Sequence, residues 1–243
     1  MVNEAPAGGV DTEDTLMPLR AIIFDFDGVI ANSEPLHLRA YQEVLAAEGL
    51  TVTDQDYYAR YLGFDDVGAF MAIGADTGRT WTRADIRRLV ASKARCFEEL
   101  EQNVSILFPG AADAVRRAAA AVPIAIASGA LGAEIRRVLE RERLVDCFTA
   151  IVSAEDTPSS KPSPEPYLYA LAQLTSAAAV PIGAHECVAL EDSPCGLQSA
   201  RAAELRTVGV AQTYHESALH TADLVIQTIA SMDLQALSRL CTP

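Results

Sequence analysis

The sequence predicts an α/β fold in which a helical domain interrupts a parallel sheet. Beyond residue 110, short apolar runs alternate with segments of helical spacing, which is the pattern of parallel strands joined by helical crossovers. A further apolar run at 21–24 stands well before this series, and the stretch between them, 34–103, shows helical spacing without a convincing strand. We therefore expect a Rossmann-like, doubly wound parallel sheet with an inserted α-helical cap domain.

The first elements follow from local patterns. A strand is expected between Arg20 and Phe26, because its continuous apolar run suits a strand that is buried on both faces. The first helix begins at Glu34, with a proline in its first turn, and ends at Gly49. The remaining elements of this stretch are helices at 54–62 and 64–73 and a long helix after the N-cap Thr82.

Helices and strands alternate in the remainder of the chain. The helices are expected at 111–121, 132–142, 164–175, 195–203 and 231–240, and the strands at 123–127, 149–152, 187–191, 206–210 and 222–226. On this basis the chain divides into a disordered leader at 1–18, an α/β core formed by 19–33 and 105–243, and a helical cap domain at 34–104.

The composition excludes several classes of protein. The 243 residues include 33 acidic and 19 basic side chains, with a net charge of −14. Such a chain lacks the many Lys/Arg–phosphate contacts that bind nucleic acid, and an anionic membrane surface would repel it. The five cysteines include no Cys-x-x-Cys pair, which indicates thiols of a reducing compartment. We expect a cytoplasmic protein that is a monomer or a weak dimer and does not bind a membrane.

Polar side chains follow the predicted strands at the edge where open parallel sheets bind ligands. They are Asp25 and Asp27 after the first strand, Ser128 and Gly129 after the second, Lys161 beyond the third, and Glu191 and Asp192 at the fourth. Carboxylates so close together repel each other unless a hard cation such as Mg²⁺ lies among them. One carboxylate could then attack a phosphoryl group, a second could protonate the leaving group, and the lysine and hydroxyl could hold the phosphoryl oxygens.

The segments around these residues resemble the four motifs of the haloacid dehalogenase superfamily. In chain order they are Asp25-Phe26-Asp27-Gly28-Val29-Ile30, Ser128-Gly129, Lys161-Pro162-Ser163-Pro164-Glu165-Pro166-Tyr167 and Glu191-Asp192-Ser193-Pro194-Cys195-Gly196. The helical insertion between the first two motifs resembles the cap of the β-phosphoglucomutase-like and phosphoglycolate phosphatase-like subgroup, which includes the CbbY-like proteins.

The resemblance implies a role for each motif residue. Asp25 would be the nucleophile and a Mg²⁺ ligand, and Asp27 the acid/base whose backbone carbonyl also binds the metal. Asp192 would bind Mg²⁺ directly, with Glu191 beside it either on the metal or in a structural role. The phosphate and substrate would be held by Ser128, Gly129, Lys161 and Gly28. The alternatives are an ordinary turn residue for Ser128 and a solvated loop lysine for Lys161.

The resemblance extends to three residues of the insertion, which would bind the substrate. Glu34 and His37 lie in Ser33-Glu34-Pro35-Leu36-His37, which looks like the hinge and first cap helix of the subgroup. Lys93 resembles a cap lysine that reaches the active site. A structural histidine and an exposed helix lysine are the alternatives for His37 and Lys93, and Asn32 departs from the aspartate that is common in the family.

The implied function is the Mg²⁺-dependent hydrolysis of a small phosphorylated metabolite, a sugar phosphate or a phosphoglycolate-like compound, through an aspartyl-phosphate. The alternative is a β-phosphoglucomutase-type phosphomutase, which needs an arginine for a second phosphate where this chain has Gly63-Phe64-Asp65-Asp66. Arg60 lies nearby and could substitute. A remote alternative is a catalytically silent binding protein on the same fold, and the presence of Asp27 argues against dehalogenation.

Overall fold

A parallel sheet organises the part of the chain that the structure describes. The computed structural model describes residues 19–62, 64–102 and 104–241, so the leader predicted at 1–18 lies outside it. The strands of these residues are β1 (Ala21–Phe24), β2 (Ile124–Ala127), β3 (Ala150–Val152), β4 (Cys187–Glu191), β5 (Arg206–Val210) and β6 (Leu224–Ile226). They form a six-stranded sheet in the order β3-β2-β1-β4-β5-β6, and every neighbouring pair is parallel.

The strand order places β1 in the middle of the sheet. From β1 the chain winds outward through β2 and β3 on one side and through β4, β5 and β6 on the other. The winding direction therefore changes beside β1, and doubly wound sheets bind their ligands outside the carboxyl ends of the strands at such a point. The predicted α/β fold class is confirmed, and β4 and β5 have the bounds that the sequence predicts.

The continuous apolar run of β1 is explained by burial on both faces. Ile22 and Phe24 belong to one apolar cluster of the core, whereas Ala21 and Ile23 belong to a second cluster that contains Tyr167. Since successive side chains of a strand point to opposite faces, a strand between two helical layers needs apolar residues at every position.

Helices occupy the chain between β1 and β2, where the sequence predicts the insertion. They are α1 (Glu34–Ala47), α2 (Asp54–Asp56) with a π-helical segment at Tyr57–Tyr61, α3 (Asp66–Asp76) and α4 (Arg83–Glu101). Their apolar side chains form a cluster of their own, which includes Leu45, Phe70 and Leu89. The separate cluster fits an inserted helical domain, although the domain boundaries themselves stay a prediction.

Two helices of the insertion differ from the sequence-based expectation. The helix expected at 54–62 widens into a π-helical turn, in which the Leu62 N–H donates to the Tyr57 carbonyl over 3.0 Å. The helix expected at 64–73 begins later, because the Asp65 side chain accepts the Gly68 N–H over 2.7 Å and thereby caps α3. Thr82 caps α4 as predicted, in a reciprocal arrangement with Asp85.

The helices that cover the sheet lie close to their predicted positions. They are α5 (Ala111–Ala121), α6 (Gly132–Arg141), α7 (Glu165–Ala177), α8 (Pro194–Ala202) and α9 (Leu234–Leu240). Within the ranges that the structure describes, every helix is too short or too polar to cross a membrane.

Candidate active site

The carboxyl end of the sheet opens into a cleft of about 740 Å³. Most residues that the sequence predicts for the site line this cleft. Those on the sheet side are Asp25, Asp27, Gly28, Ser128, Gly129, Lys161 and Asp192, and those from α1 and α4 are Glu34, His37 and Lys93. Glu191 is the exception, since its side chain is fully buried and does not line the cleft.

Three carboxylates meet where β1 and β4 end. One side-chain oxygen from each of Asp25, Glu191 and Asp192 lies within 4.8 Å of the other two, and all three residues are buried. Burial raises the pKa of Asp25 well above its usual value, and the nearby Glu191 charge raises it further. Burial and Glu191 likewise raise the pKa of Asp192 to about 7. The oxygens are close enough to share one ion, and the donor set of hard oxygens fits Mg²⁺.

Lys161 supplies the positive charge that these acids need in the protein itself. Its Nζ lies 2.9 Å from Asp25 Oδ1 and 2.5 Å from Glu191 Oε1. Burial disfavours the charged amine, yet the neighbouring carboxylates Asp25 and Glu191 raise the pKa of Lys161 above its usual value. The lysine is therefore a buried cation of the cleft, which contradicts the alternative of a solvated loop residue.

Glu191 is fixed beneath the cleft by several donors. Besides Lys161, the Tyr167 hydroxyl donates to Glu191 Oε1 over 2.7 Å, and the Ser193 hydroxyl donates to Oε2 over 3.2 Å. The role of Tyr167 was missed from the sequence, although a tyrosine in an otherwise apolar helix face signals a buried hydroxyl that needs a partner. A carboxylate held in this way keeps its position when the occupant of the cleft changes.

Gly196 leaves the space that the Glu191 carboxylate fills, and the Gly196→Ala substitution tests this contact. A Cβ at this position would lie about 2 Å from the Glu191 carboxylate atoms. Alanine normally stabilises a helix relative to glycine, whereas here we expect a loss of about 1–3 kcal/mol from overpacking. The measurement is the free energy of unfolding in denaturant. Gly129→Ala is the control, since its Cβ would meet nothing within 4 Å; equal stabilities of the two variants would contradict the proposed contact.

Asp27, the second acid of the first motif, lines the cleft together with Asp25 and Asp192 of the carboxylate cluster. The Ser33 hydroxyl donates to Asp27 Oδ1 over 2.5 Å. Burial raises the pKa of Asp27 to about 6, against the opposing effect of the Ser33 bond. Between this acid and the cluster, Gly28 has a φ of +79°, and a Cβ there would lie 2.0 Å from Asp192 Oδ2. Only glycine allows the backbone to pass so close to the Asp192 carboxylate.

Ser128 and Gly129 extend the site from the end of β2. Ser128 is buried. Its hydroxyl accepts the Ala130 N–H over 3.1 Å, and the backbone N–H of Ser128 donates to the Val152 carbonyl. Gly129 is exposed in the cleft wall. Both residues line the same cleft as Asp25 and Asp192, so their polar groups are available to a ligand that the acids bind.

Lys93 of α4 reaches the cleft from the opposite side. It is only 3% exposed, which contradicts the exposed-lysine alternative. Its Nζ lies 2.7 Å from Asp66 Oδ1 and 2.6 Å from His37 Nδ1. Burial and the charge of Lys93 lower the pKa of His37 to about 3, so the ring is neutral and Nδ1 accepts from the ammonium group. Burial raises the pKa of Glu34, whose Oε2 accepts the Tyr57 hydroxyl over 2.7 Å.

Several lining residues were not identified from the sequence. They include Tyr41, Tyr57, Glu134, Thr213 and Tyr214. Thr213 follows the end of β5 and bonds to the Asp192 carboxylate. The sequence does signal this residue, because polar side chains just beyond the end of a parallel strand, here β5, reach the same edge of the sheet. The two tyrosines of the insertion carried no such signal, because their positions also suit the apolar face of a helix.

Arg60 is directed away from the cleft. Its guanidinium forms a salt bridge with Asp76 at the far end of α3, and Arg60 is not among the residues that line the cleft. Asp66, which lies in the stretch where a mutase needs an arginine for the second phosphate, instead binds Lys93. Gly63 lies outside the described residues. The interpretation that Arg60 replaces the arginine of a mutase therefore has no support in the contacts of Arg60.

Comparison with known proteins identifies relatives along most of the chain. A family model for haloacid dehalogenase-like hydrolases matches residues 22–210. Hexitol phosphatase B of Escherichia coli K12 is 31% identical over 78% of this chain and 82% of its own length. The β-phosphoglucomutase of Bacillus subtilis 168 is 28% identical over 90% and 94%. A crystal structure of a CbbY variant from Rhodobacter sphaeroides with xylulose-(1,5)bisphosphate has a TM-score of 0.73 at 25% identity, covering 88% and 96%.

Proposed function

Because the chain belongs to the haloacid dehalogenase-like hydrolase family, we propose that it is a Mg²⁺-dependent phosphatase of small phosphorylated metabolites, in particular sugar phosphates. Membership of this family together with phosphatase-named relatives supports a phosphoric monoester hydrolase, and a sugar-phosphate substrate agrees with the name of the hexitol phosphatase relative. The observation that carries the proposal is the meeting of Asp25, Asp192 and Lys161 on the sheet side of one cleft.

The residues of the cleft suit a two-step transfer. Asp25 attacks the phosphorus atom, a bond forms between its carboxylate oxygen and phosphorus, and the bond from phosphorus to the substrate oxygen breaks. Asp27 gives its proton to the departing alkoxide. Water then attacks the aspartyl-phosphate, Asp27 takes a proton from that water, and inorganic phosphate leaves while the Asp25 carboxylate is restored.

Two groups of residues would stabilise the negative charge of the phosphoryl group during the transfer. Lys161, Ser128 and the Gly129 amide would hold the phosphoryl oxygens as negative charge moves between them. Asp25 and Asp192 would hold Mg²⁺ together with the Asp27 backbone carbonyl, and Glu191 would support them from below. When bound, the metal offsets the charge of the clustered carboxylates and of the phosphoryl oxygens.

The contacts of the insertion favour a phosphatase over a phosphomutase. A mutase must hold a second phosphate, but Arg60 is tied to Asp76, and Asp66 presents an acid to that part of the cleft. The relevant assay is the formation of glucose 6-phosphate from β-glucose 1-phosphate with a bisphosphate activator. A silent binding protein is distinguished by the absence of turnover on p-nitrophenyl phosphate and on a panel of sugar phosphates.

Removal of the metal tests the cofactor. We expect chelation to lower the hydrolysis of p-nitrophenyl phosphate by at least about 10²-fold, since a catalytic metal contributes several kcal/mol to charge stabilisation. Added Mg²⁺ should restore the activity of the chelator-treated wild-type protein, whereas an Asp192→Ala variant should stay inactive with Mg²⁺. Direct binding is measured by calorimetry of the two proteins with Mg²⁺. Full activity after chelation would contradict the proposal, as would Mg²⁺ binding that does not depend on Asp192.

A further inference from the structure

The end of the cleft that lies opposite the phosphoryl site, formed by α1, α3 and α4, determines which leaving groups fit. We propose that Asp66 is a specificity-determining residue, which binds the Lys93 ammonium group internally and thereby makes the enzyme favour monophosphates with an uncharged leaving group, such as a polyol, over those with an anionic one. This inference rests on the proposed phosphatase function. It narrows the substrate class, because it disfavours bisphosphates and phosphorylated hydroxy acids, including phosphoglycolate-like compounds.

Lys93 has no free charge to offer an anionic substrate. Its side chain is 4% exposed, and Asp66 Oδ1 accepts one N–H over 2.7 Å while His37 Nδ1 accepts another over 2.6 Å. The rings of Tyr41 and Phe97 lie 5.1 Å and 5.4 Å from the ammonium nitrogen. Two hydrogen bonds and two aromatic faces thus surround the cation, and the carboxylate offsets its charge.

Asp66 is itself held in place for this task. Its Oδ1 accepts the Tyr41 hydroxyl over 2.7 Å as well as the Lys93 ammonium group. Asp66 begins α3, directly after the capping residue Asp65, so its backbone is fixed by the first turn of that helix. The side chain remains partly exposed and lines the cleft, which lets the carboxylate face the substrate while it binds the lysine.

The charges around this end of the cleft are unfavourable for a second anion. Glu34, Asp65 and Asp66 line the cleft from α1 and the start of α3, and Glu134 lines it from α6, where its charge interacts with Lys93 and Asp66. Lys93 is the lysine that the insertion contributes to the described lining. The other lysine of the cleft, Lys161, is bound to Asp25 and Glu191 at the phosphoryl end. A carboxylate or phosphate on the leaving group would therefore meet like charges, which is an effective way to reject a competing substrate.

The same groups can bind hydroxyls. His37 is neutral with its proton on Nε2, because Nδ1 accepts from Lys93, so the ring is a hydrogen-bond donor. Carboxylate oxygens of Glu34 and Asp66 are acceptors, and Tyr41 and Tyr57 bring further hydroxyl oxygens. Donors and acceptors of this kind suit a polyol, whose hydroxyl groups both donate and accept.

Asp66→Asn tests the proposal, with Asp65→Asn as the matched control. Both substitutions remove one negative charge at adjacent positions, and asparagine caps a helix as well as aspartate does. Only the first removes the carboxylate that offsets the Lys93 charge. The readout is the ratio of kcat/KM for 3-phosphoglycerate to that for glycerol 3-phosphate, two esters that differ by a carboxylate in place of a hydroxymethyl group. We expect Asp66→Asn to raise this ratio by at least about tenfold over that of Asp65→Asn, through the freed ammonium charge.

Several results would overturn the inference. One is a wild-type enzyme that prefers 3-phosphoglycerate, and another is an equal ratio in the two asparagine variants. Asp66→Glu keeps a carboxylate near Lys93 and should retain the wild-type preference; a tenfold change in this variant also counts against the proposal. Failure of the inference is distinguishable from failure of the proposed function. A wild-type protein that hydrolyses neither p-nitrophenyl phosphate nor any of a panel of sugar phosphates with Mg²⁺ overturns both.

Discussion

Replacing Asp25 with asparagine should lower phosphatase turnover by at least about 10⁴-fold, the scale on which enzymes lose rate without their nucleophile. The amide has the shape of the carboxylate but is a much weaker nucleophile, so the covalent intermediate does not form. We expect the free energy of unfolding to stay the same or to rise, because the change removes one of three carboxylates that lie within 4.8 Å of one another. Lys161 retains Glu191 as its partner.

The measurement combines steady-state rates with the mass of the acid-quenched protein. The wild-type enzyme should show the added mass of one phosphoryl group during turnover, and Asp25→Asn should not. Asp113→Asn is the control, since its side chain is 78% exposed on α5, outside the cleft. Wild-type rates in the Asp25→Asn variant would refute the assignment of the nucleophile, and so would the added mass of a phosphoryl group on that variant.

The sheet side of the site could be predicted because it depends on local pattern and topology. β4 is a buried apolar run that stops at Glu191 and Asp192, and β1 stops in the same way at Asp25. Parallel strands bring their carboxyl ends to one edge, so residues that follow different strands meet without any further information. The place of Lys161 in the cleft followed from the same rule, although a loop separates it from β3.

The insertion side could not be predicted to the same depth. Lys93 and Asp66 are 27 positions apart and belong to different helices, so their contact depends on how α3 and α4 rotate about their axes. Helical periodicity identifies the buried face of each helix, but it does not pair one polar residue with another across the interface. For the same reason the sequence did not distinguish Arg60, which pairs with Asp76, from a residue that faces the cleft.

Asp27 is the second residue whose loss should have a large effect, and the effect should depend on the leaving group. Its carboxyl stands two residues beyond Asp25, lines the cleft and is oriented by the Ser33 hydroxyl over 2.5 Å. We expect Asp27→Asn to lower kcat/KM for glycerol 3-phosphate by about 10²–10⁴-fold, the usual contribution of a general acid. The loss of kcat/KM with p-nitrophenyl phosphate should be much smaller, because kcat/KM reports the first step and nitrophenolate departs without a proton.

The two steps of the reaction give Asp27→Asn a further signature that a structural role would not produce. With p-nitrophenyl phosphate the first step remains fast in this variant, but water is no longer deprotonated in the second. The aspartyl-phosphate should then accumulate, and a rapid burst of nitrophenolate equal to the enzyme concentration should precede a slow steady rate. Asp65→Asn removes the same charge from another wall of the cleft and should show no burst. Equal losses on both substrates without a burst would mean that Asp27 supports the site but transfers no proton.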